Sequence, residues 1–408
     1  MTTISHEQAY DLFSPEFKAN PHPTFARMRA EAPVYGHVSP QGQRSWYVTR
    51  YDDVVGVLKD TEHFVKDQRN SWLPAEREKA ERRTSVFRYI NQNMLFSDAP
   101  DHTRLRALVL QAFTPKRVED MTGRIEGIAE RLIGEMKRGE AIDLIADLAL
   151  PLPYLVILEL LGVPLVDRER VQAWTEVIIA PGNHGVGMRE RRRRMKAFVA
   201  YLEGLFAQRQ VEPGDDLISA LVVAEADGER LSAAELSSMV VLLLVTGYET
   251  VIHLIGNGAL ALLVDGEAWR RLRGEVDLWP SAIEEILRFD GPVETSTTRW
   301  VREDCEWGGQ MMKRGDVMRA VITSANRDET VFERADEFDI TRWPNRHLTF
   351  GLGSHYCLGA PLARLEGRIA LQTLAEMMPT LQLAVSQEAL SWRSGVLFRG
   401  LKELPLRW

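Results

Sequence analysis

The longest helical pattern in the chain runs from 232 to 264, and its apolar residues fall on nearly every side. A helix apolar all round is one buried inside a larger core. Ser232-Ala233-Ala234-Glu235 offers a capping box at its start, Ser and Glu satisfying each other's orphaned amides. Helical periodicity also marks 101–112, closed by Phe113-Thr114-Pro115, then 118–137, 144–161, 168–179, 217–224, 280–287 and 362–377. Strand-like stretches are short: 34–38 and 46–49 about Pro40-Gln41-Gly42, 295–298, 307–312 and 316–323 about Arg314-Gly315, and pieces of the tail with a turn at 394–397. The segment 66–93 is charged and weakly periodic, as expected of a loop with short helices. No internal repeat appears. At 408 residues the length alone would allow two or three domains.

In the middle of the apolar helix stands Thr246-Gly247-Tyr248-Glu249-Thr250. Burying an acid beside an alcohol is costly unless both find partners. Either Glu249 is held in a structural salt bridge and Thr250 bonds back to its own helix, or the pair serves a polar ligand. Gly and Thr there also predict a local opening of the helix. A second chemical stretch precedes 362–377: Phe350-Gly351-Leu352-Gly353-Ser354-His355-Tyr356-Cys357-Leu358-Gly359. Three glycines about one cysteine predict a tight loop that a flat ligand can approach closely. A cysteine at the mouth of a helix is favoured as thiolate, a strong axial ligand for haem iron; the plainer reading is a buried structural cysteine. His102 and Arg106, four apart, share a helix face suited to carboxylates or simply to solvent.

Charge and cysteine content narrow the field. A net charge of −8 argues against nucleic-acid binding, which needs clustered positive charge. Two cysteines, Cys305 and Cys357, give no disulfide framework, and a reducing cytoplasm is the default. The N-terminal stretch lacks the basic and apolar regions of a signal peptide, and no uninterrupted apolar run reaches membrane-spanning length. Cys305 sits in a charged turn beside Asp304 and Glu306, which raises its pKa and marks it as non-functional. The basic run Arg189-Glu190-Arg191-Arg192-Arg193-Arg194 reads as a solvated face or a contact for an acidic partner.

The Cys357 string, with Phe, Gly, Gly, His, Cys and Gly at these spacings, resembles the haem-thiolate loop of the cytochrome P450 superfamily. Other features occur in that family's order. The stretch Thr246–Thr250 resembles its oxygen-binding helix, although Thr246 stands where Ala is commonest and Val251 where a second Thr is often found. Glu285 and Arg288, with Arg342, resemble its structural charge network. His102, Arg106, Arg299 and His355 resemble groups that hold the haem propionates. The resemblance covers essentially the whole chain. It implies one domain over 1–408, mainly α with small sheets, with haem b between the long helix and the loop. It further implies that Cys357 ligates the iron; Phe350, Gly351, Gly353 and Gly359 shape the haem-binding loop. Glu249 and Thr250, with Thr246 and Gly247 beside them, would deliver protons to oxygen bound at the opposite face.

The activity so implied is a cytoplasmic monooxygenase that puts one atom of O2 into a hydrophobic small molecule, by hydroxylation or epoxidation. A secondary metabolite is one such substrate. A peroxide-driven haem enzyme and a haem-based gas- or ligand-binding protein are the alternatives. Electrons would come from a separate ferredoxin with its NAD(P)H-dependent reductase, docking near Arg364, Arg368 and Lys116; no membrane or nucleic-acid partner is expected. The pocket would draw on 66–93, 168–187, 243–246, 293–297 and 395–397.

Overall fold

The computed structural model describes residues 10–81, 92–136, 141–179 and 187–408. Its axis is the helix Ala233–Val264, 32 residues long. Ser232 caps it, and the reciprocal bond from Glu235 completes the box. By length and composition this helix is apolar enough to cross a membrane, yet 67% of its most apolar window is buried inside the fold. Pro151–Leu161, Trp279–Asp290 and Ala360–Met377 pack against it, as do Met188–Val211 and Leu217–Val223. One continuous apolar core joins all of them.

A five-stranded sheet lies to one side, in the order β1-β2-β8-β5-β3. Its strands are β1 Val34–Val38, β2 Arg44–Val48, β3 Phe64–Val65, β5 Arg299–Val301 and β8 Val317–Ala320. β2 pairs with β8 in parallel, Trp46 opposite Met318, and the other pairings are antiparallel. β5 therefore sits inside the sheet and fixes Arg299 at its first position. Smaller sheets join β4 Ile142–Asp143, β10 Pro405–Arg407 and β9 Gln382–Leu383, and pair β6 Cys305–Trp307 with β7 Gln310–Met312.

Several expected elements are corrected. The helix expected over 118–137 breaks after Glu119 and resumes as Thr122–Gly134. The one expected over 144–161 starts with a π turn at Ile145–Ala149, before Pro151. Pro lacks the amide to continue an α ladder and is accommodated at a helix start. The strand expected over 307–312 is interrupted by Gly308 and Gly309, both at positive φ (54° and 74°), which turn β6 back into β7. Cys305 thus lies in a strand and not in a turn. Burial first, then Asp60, Asp304 and Glu303, push its thiol up. The strand expected over 295–298 is moved on to Arg299–Val301. Part of the expected pocket wall, 82–91 and 180–186, lies outside the described residues.

Candidate active site: the cleft between Thr246–Thr250 and Cys357

The central helix and Ala360–Met377 touch where side chains are absent. A Cβ on Gly367 would stand 2.7 Å from Leu254 Cδ2, and one on Gly258 would stand 3.0 Å from Leu371 Cδ1. The pairs 254/367 and 258/371 advance together, so the helices run in the same sense. One and two turns earlier, Thr250 falls level with Ala363 and Thr246 with Gly359, two residues past Cys357. There the packing opens. Met239–Leu244 and Val251–Leu260 are buried, but none of residues 245–250 is, and Thr246 is exposed. Cys357 is likewise exposed, although crowding protein pushes its thiol pKa up. Both observations hold if the sulfur faces an interior cleft, ringed by protein but open to a small molecule.

The loop is built as its glycines predict. Gly351 and Gly353 take φ of 70° and 76°, a region L side chains avoid. A Cβ on Gly353 would also press on Leu58 O at 3.3 Å. Cys357 N–H donates to Phe350 O at 2.8 Å, closing the turn. The Arg364 guanidinium lies over the Phe350 ring, 4.4 Å from its centre. A Cβ on Gly359 would stand 3.9 Å from Cys357 Sγ. The helix start acts on Cys357 in the expected direction, its Gly359 and Ala360 amides lowering the thiol pKa against burial. Burial raises the thiol pKa, while the Gly359 and Ala360 amides, Arg106 and Arg364 only oppose the rise.

On the cleft's polar side, the expected propionate anchors come together with one residue that sequence reasoning placed elsewhere. The His102 and His355 rings lie 4.1 Å apart. Arg106 donates to Tyr356 O at 2.8 Å, and Arg299, 3% exposed, donates weakly to Leu58 O at 3.3 Å. Lys66 is the addition: it is 4% exposed and donates to Thr297 and to Thr298 O. Burial, then Lys66 and His102, push His355 down to about 2. Burial, opposed by Asp98, lowers Arg299 to about 10. Burial and Arg299 hold Lys66 well below its ordinary value.

Asp98 bears on Lys66, His102 and Arg299, and its oxygens accept from the Lys66 and Asp67 amides and from Asn70. Among the described residues none of the five makes an ion pair with an acid. Such a cluster favours a dianion. Together with the thiol and the glycine-rich loop, it fits haem, whose two carboxylates would meet Lys66, His102, Arg106, Arg299 and His355.

On the central helix, Thr246 donates to Leu242 O at 2.8 Å and Thr250 to Thr246 O at 3.3 Å. Glu249 lies 3.8 Å from Arg393. Burial raises its pKa, and Arg393 opposes the rise. The helix is continuous here, so the expected opening is absent. Gly247 faces Ile157, where a Cβ would stand 3.1 Å from Cδ1. Its small size serves the crossing with Pro151–Leu161. Of the expected docking charges, Arg364 is held by Glu284 through two bonds of 2.6 and 2.8 Å, and Lys116 pairs with Asp120. Arg368 lines a groove between Thr122–Gly134 and Ala360–Met377.

Residues 278–377 match the cytochrome P450 family model. The chain is 41% identical over 399 residues to the polyketide biosynthesis cytochrome P450 PksS of Bacillus subtilis, covering 96% of each. It is 42% identical over 397 residues to the cytochrome P450 monooxygenase PikC of Streptomyces venezuelae, covering 96% of this chain and 92% of that one. The solved structure of PksS superposes with a TM-score of 0.89 over 97% of this chain and 99% of that chain, at 40% identity. That of the myxobacterial CYP267B1 with myristic acid superposes at 0.87, 43% identical, over 97% and 98%. The chain belongs to the cytochrome P450 family. It is an oxidoreductase, a monooxygenase with a haem-iron cofactor, and it works with a small-molecule substrate and a redox partner.

Proposed function

We propose that this protein hydroxylates or epoxidises a hydrophobic polyketide-like or fatty-acyl molecule in the cytoplasm. We assign it haem b on Cys357 and electrons from a separate ferredoxin and NAD(P)H-dependent reductase. The observation that supports the site assignment is the exposed Cys357 thiol just before Ala360–Met377, together with the unburied stretch 245–250 in the interior of the central helix, flanked by buried residues on both sides. The names of PksS and of the CYP267B1–myristic acid complex motivate the substrate class.

Bound haem supplies the activation of O2 and its transfer to carbon. The chain supplies the rest. Lys66, His102, Arg106, Arg299 and His355 orient the cofactor through its carboxylates. The Phe350–Gly359 loop presents the thiol. Thr250, whose helix bond is long, has a hydroxyl available to donate into the cleft. Glu249, its carboxyl pKa raised by burial against the opposing Arg393, stands beside Thr250 as the candidate proton donor. Thr295 donates to Val396 O at 2.7 Å, tying together two segments expected to line the pocket.

The assignment is tested in the reduced protein under carbon monoxide. The wild type should show the red-shifted band of a haem-thiolate, and Cys357→Ala should lose it. A normal haem complement and unchanged spectrum in that variant would refute Cys357 as ligand. Product formation with a ferredoxin, reductase and NADPH, and little with hydrogen peroxide alone, separates the monooxygenase from a peroxide-driven enzyme.

A further inference from the structure

The proposed reaction leaves the basic run 189–194 unused. That run opens the helix Met188–Val211, which lies antiparallel to Arg168–Ile179. Arg194 donates to Ala173 O at 3.4 Å, and Tyr201 donates to Asp167 at 3.2 Å. Tyr154 donates to Arg168 O, its ring lies 5.5 Å from that of Tyr248, and Glu176 bears on Tyr248. The helix pair therefore packs on the Tyr248 side of the central helix. Tyr248 is two residues from both Thr246 and Thr250, so it points away from the cleft they share with Cys357.

Arg189, Arg192, Arg193 and Lys196 recur at intervals of three and four, so they share one face, and all four are exposed. Like charges at that spacing destabilise a helix, and the first turns of a helix disfavour cations. Glu190 offsets part of this, accepting from Arg193 through two bonds of 2.7 Å and from Arg194 at 3.0 Å. Among the described residues Arg189, Arg192 and Lys196 make no ion pair. Residues 189–196 hold six cations and one acid in a chain of net charge −8, so the patch is opposite in sign to the protein that bears it.

Beside this stripe a groove of about 270 Å³ opens between the two helices. It is lined by Ala173, Trp174 and Ala197 and by Arg170, Arg193 and Arg194. Trp174 rests on Phe198 and Tyr201, with ring centres 5.6 and 5.5 Å apart. The Arg170 guanidinium, held by Asp167 at 2.8 Å, lies 5.1 Å from the Trp174 and Tyr201 rings. The indole is thus fixed by its neighbours while part of it stays open. A well-packed tryptophan among arginines is the composition that anchors protein interfaces. A recessed apolar groove admits a protruding side chain, whereas a flat lipid surface does not fill it.

We infer that this face docks an acidic protein other than the electron donor: an acidic helix lies along Arg189, Arg192, Arg193 and Lys196 and places one apolar side chain in the groove beside Trp174. Charge complementarity supplies the attraction, and the groove sets the register. The charges expected to seat the electron donor are by Cys357, on the other side of the central helix, so this is a second seat.

The test uses the haem-loaded protein and a fluorescein-labelled synthetic helix with glutamates at intervals of three and four and one central phenylalanine. Affinity is read by anisotropy. Reversing three charges together, Arg189→Glu, Arg192→Glu and Lys196→Glu, should weaken binding at least about ten-fold. Trp174→Ala should weaken it about five-fold or more, and Trp174→Phe should restore most of that. Toward the same helix with alanine for phenylalanine, Trp174→Ala should have no effect, because nothing then enters the groove. Arg368→Glu, whose cation lines a different groove, should bind as wild type. Unchanged binding in the triple variant, an equal loss in Arg368→Glu, or a Trp174 effect that ignores the phenylalanine overturns the inference. Vesicles of phosphatidylglycerol and phosphatidylcholine are the second probe; sedimentation with them that the triple variant loses would make the face a membrane contact. Dimerisation of the wild type that the triple variant abolishes would make a second copy the occupant. Haem reduction by a reduced [2Fe–2S] ferredoxin should proceed at the same rate in both proteins. A slowing that matches the loss of peptide binding would make this the electron donor's own seat. Each of these three results overturns the proposed partner.

Discussion

Thr246 and Thr250 show how little separates a structural hydroxyl from a working one. Both bond back to a carbonyl four residues earlier, but Thr246 does so at 2.8 Å and Thr250 at 3.3 Å. The first hydroxyl is committed to its helix, and the second gives up little to bond elsewhere. Thr250→Ala should therefore redirect reducing equivalents to hydrogen peroxide. Loss of one hydrogen bond, about 1 kcal/mol, corresponds to a roughly five-fold fall in product per NADPH. Thr246→Ala should change that ratio little, and the double variant should resemble Thr250→Ala. Wild-type coupling in all three would remove both threonines from proton handling. Lys66 is the other residue to probe. As a buried cation beside Arg299, it should anchor a cofactor carboxylate, and Lys66→Met should speed haem transfer to apomyoglobin at least ten-fold, about the loss of one charged hydrogen bond. The cysteine loop and the acid–alcohol pair were legible because their residue types are costly or unusual where they stand. Lys66 was not, since a lysine at the end of a two-residue strand looks like any surface lysine. Only the folding of β3 against β5 buries it.

At the scale of elements, Trp279–Asp290 supports the proximal side through two neighbouring acids. Glu285 receives Arg288 through bonds of 2.7 and 2.8 Å and Arg342 at 3.1 Å, and both Glu285 and Arg288 are buried. Arg288 also donates to the carbonyls of Asn326, Ala335 and Glu337, so one guanidinium organises the chain leading to the cysteine loop. Arg288→Ala takes one of two guanidiniums from the buried Glu285 carboxylate, leaving Arg342, and strips the Arg288 bonds from three carbonyls, and should cost about 3–5 kcal/mol. Little haem-replete protein should be recovered; a stable, fully loaded variant would contradict this. Glu284 faces the other way, to Arg364 and His347. Burial works to raise its pKa, but hydrogen bonds from Arg364 and His347 prevail and hold it at about 2. A carboxyl depressed in the folded state stabilises the fold above its unfolded pKa, about 4.3, and loses that contribution as pH falls toward 2. Denaturant titrations should show Glu284→Gln less stable than wild type at pH 6, with the difference shrinking below pH 4. The three-residue network was readable from sequence as a motif. The Glu284 clasp was not, because Arg364 looked like a free surface cation until the Ala360–Met377 helix was placed beside it.

At the scale of the whole molecule, the helix Pro15–Ala19 and the segment around Arg399 are joined through one buried polar cluster. Lys18, in the short helix Pro15–Ala19, pairs with Glu294 at 2.6 Å, both nearly fully buried. Arg399 donates to Lys18 O at 2.7 Å and ion-pairs with Asp290, while the Glu294 amide donates to Leu397 O at 2.9 Å. The N-terminal segment, the end of Trp279–Asp290, the chain after Gly291 and the C-terminal segment thus share one polar cluster, and Asn257 ties it to the central helix. Burial already raises the Glu294 carboxyl, and Lys18 is the largest influence opposing it. Lys18→Met removes that opposition, so Glu294 should fold as the neutral acid. A carboxyl raised in the folded state contributes fully below its unfolded pKa, and its contribution is lost as pH rises through the folded value. The variant's deficit should therefore be small near pH 4 and grow to about 3–5 kcal/mol by pH 8. Urea unfolding across that range measures it. A deficit independent of pH would mean that Glu294 stays ionised without its lysine and that Arg399 serves as its counter-ion. Lys18→Met combined with Glu294→Gln decides the matter, because removing both charges should recover most of the loss at pH 8 only if the stranded carboxyl is its cause.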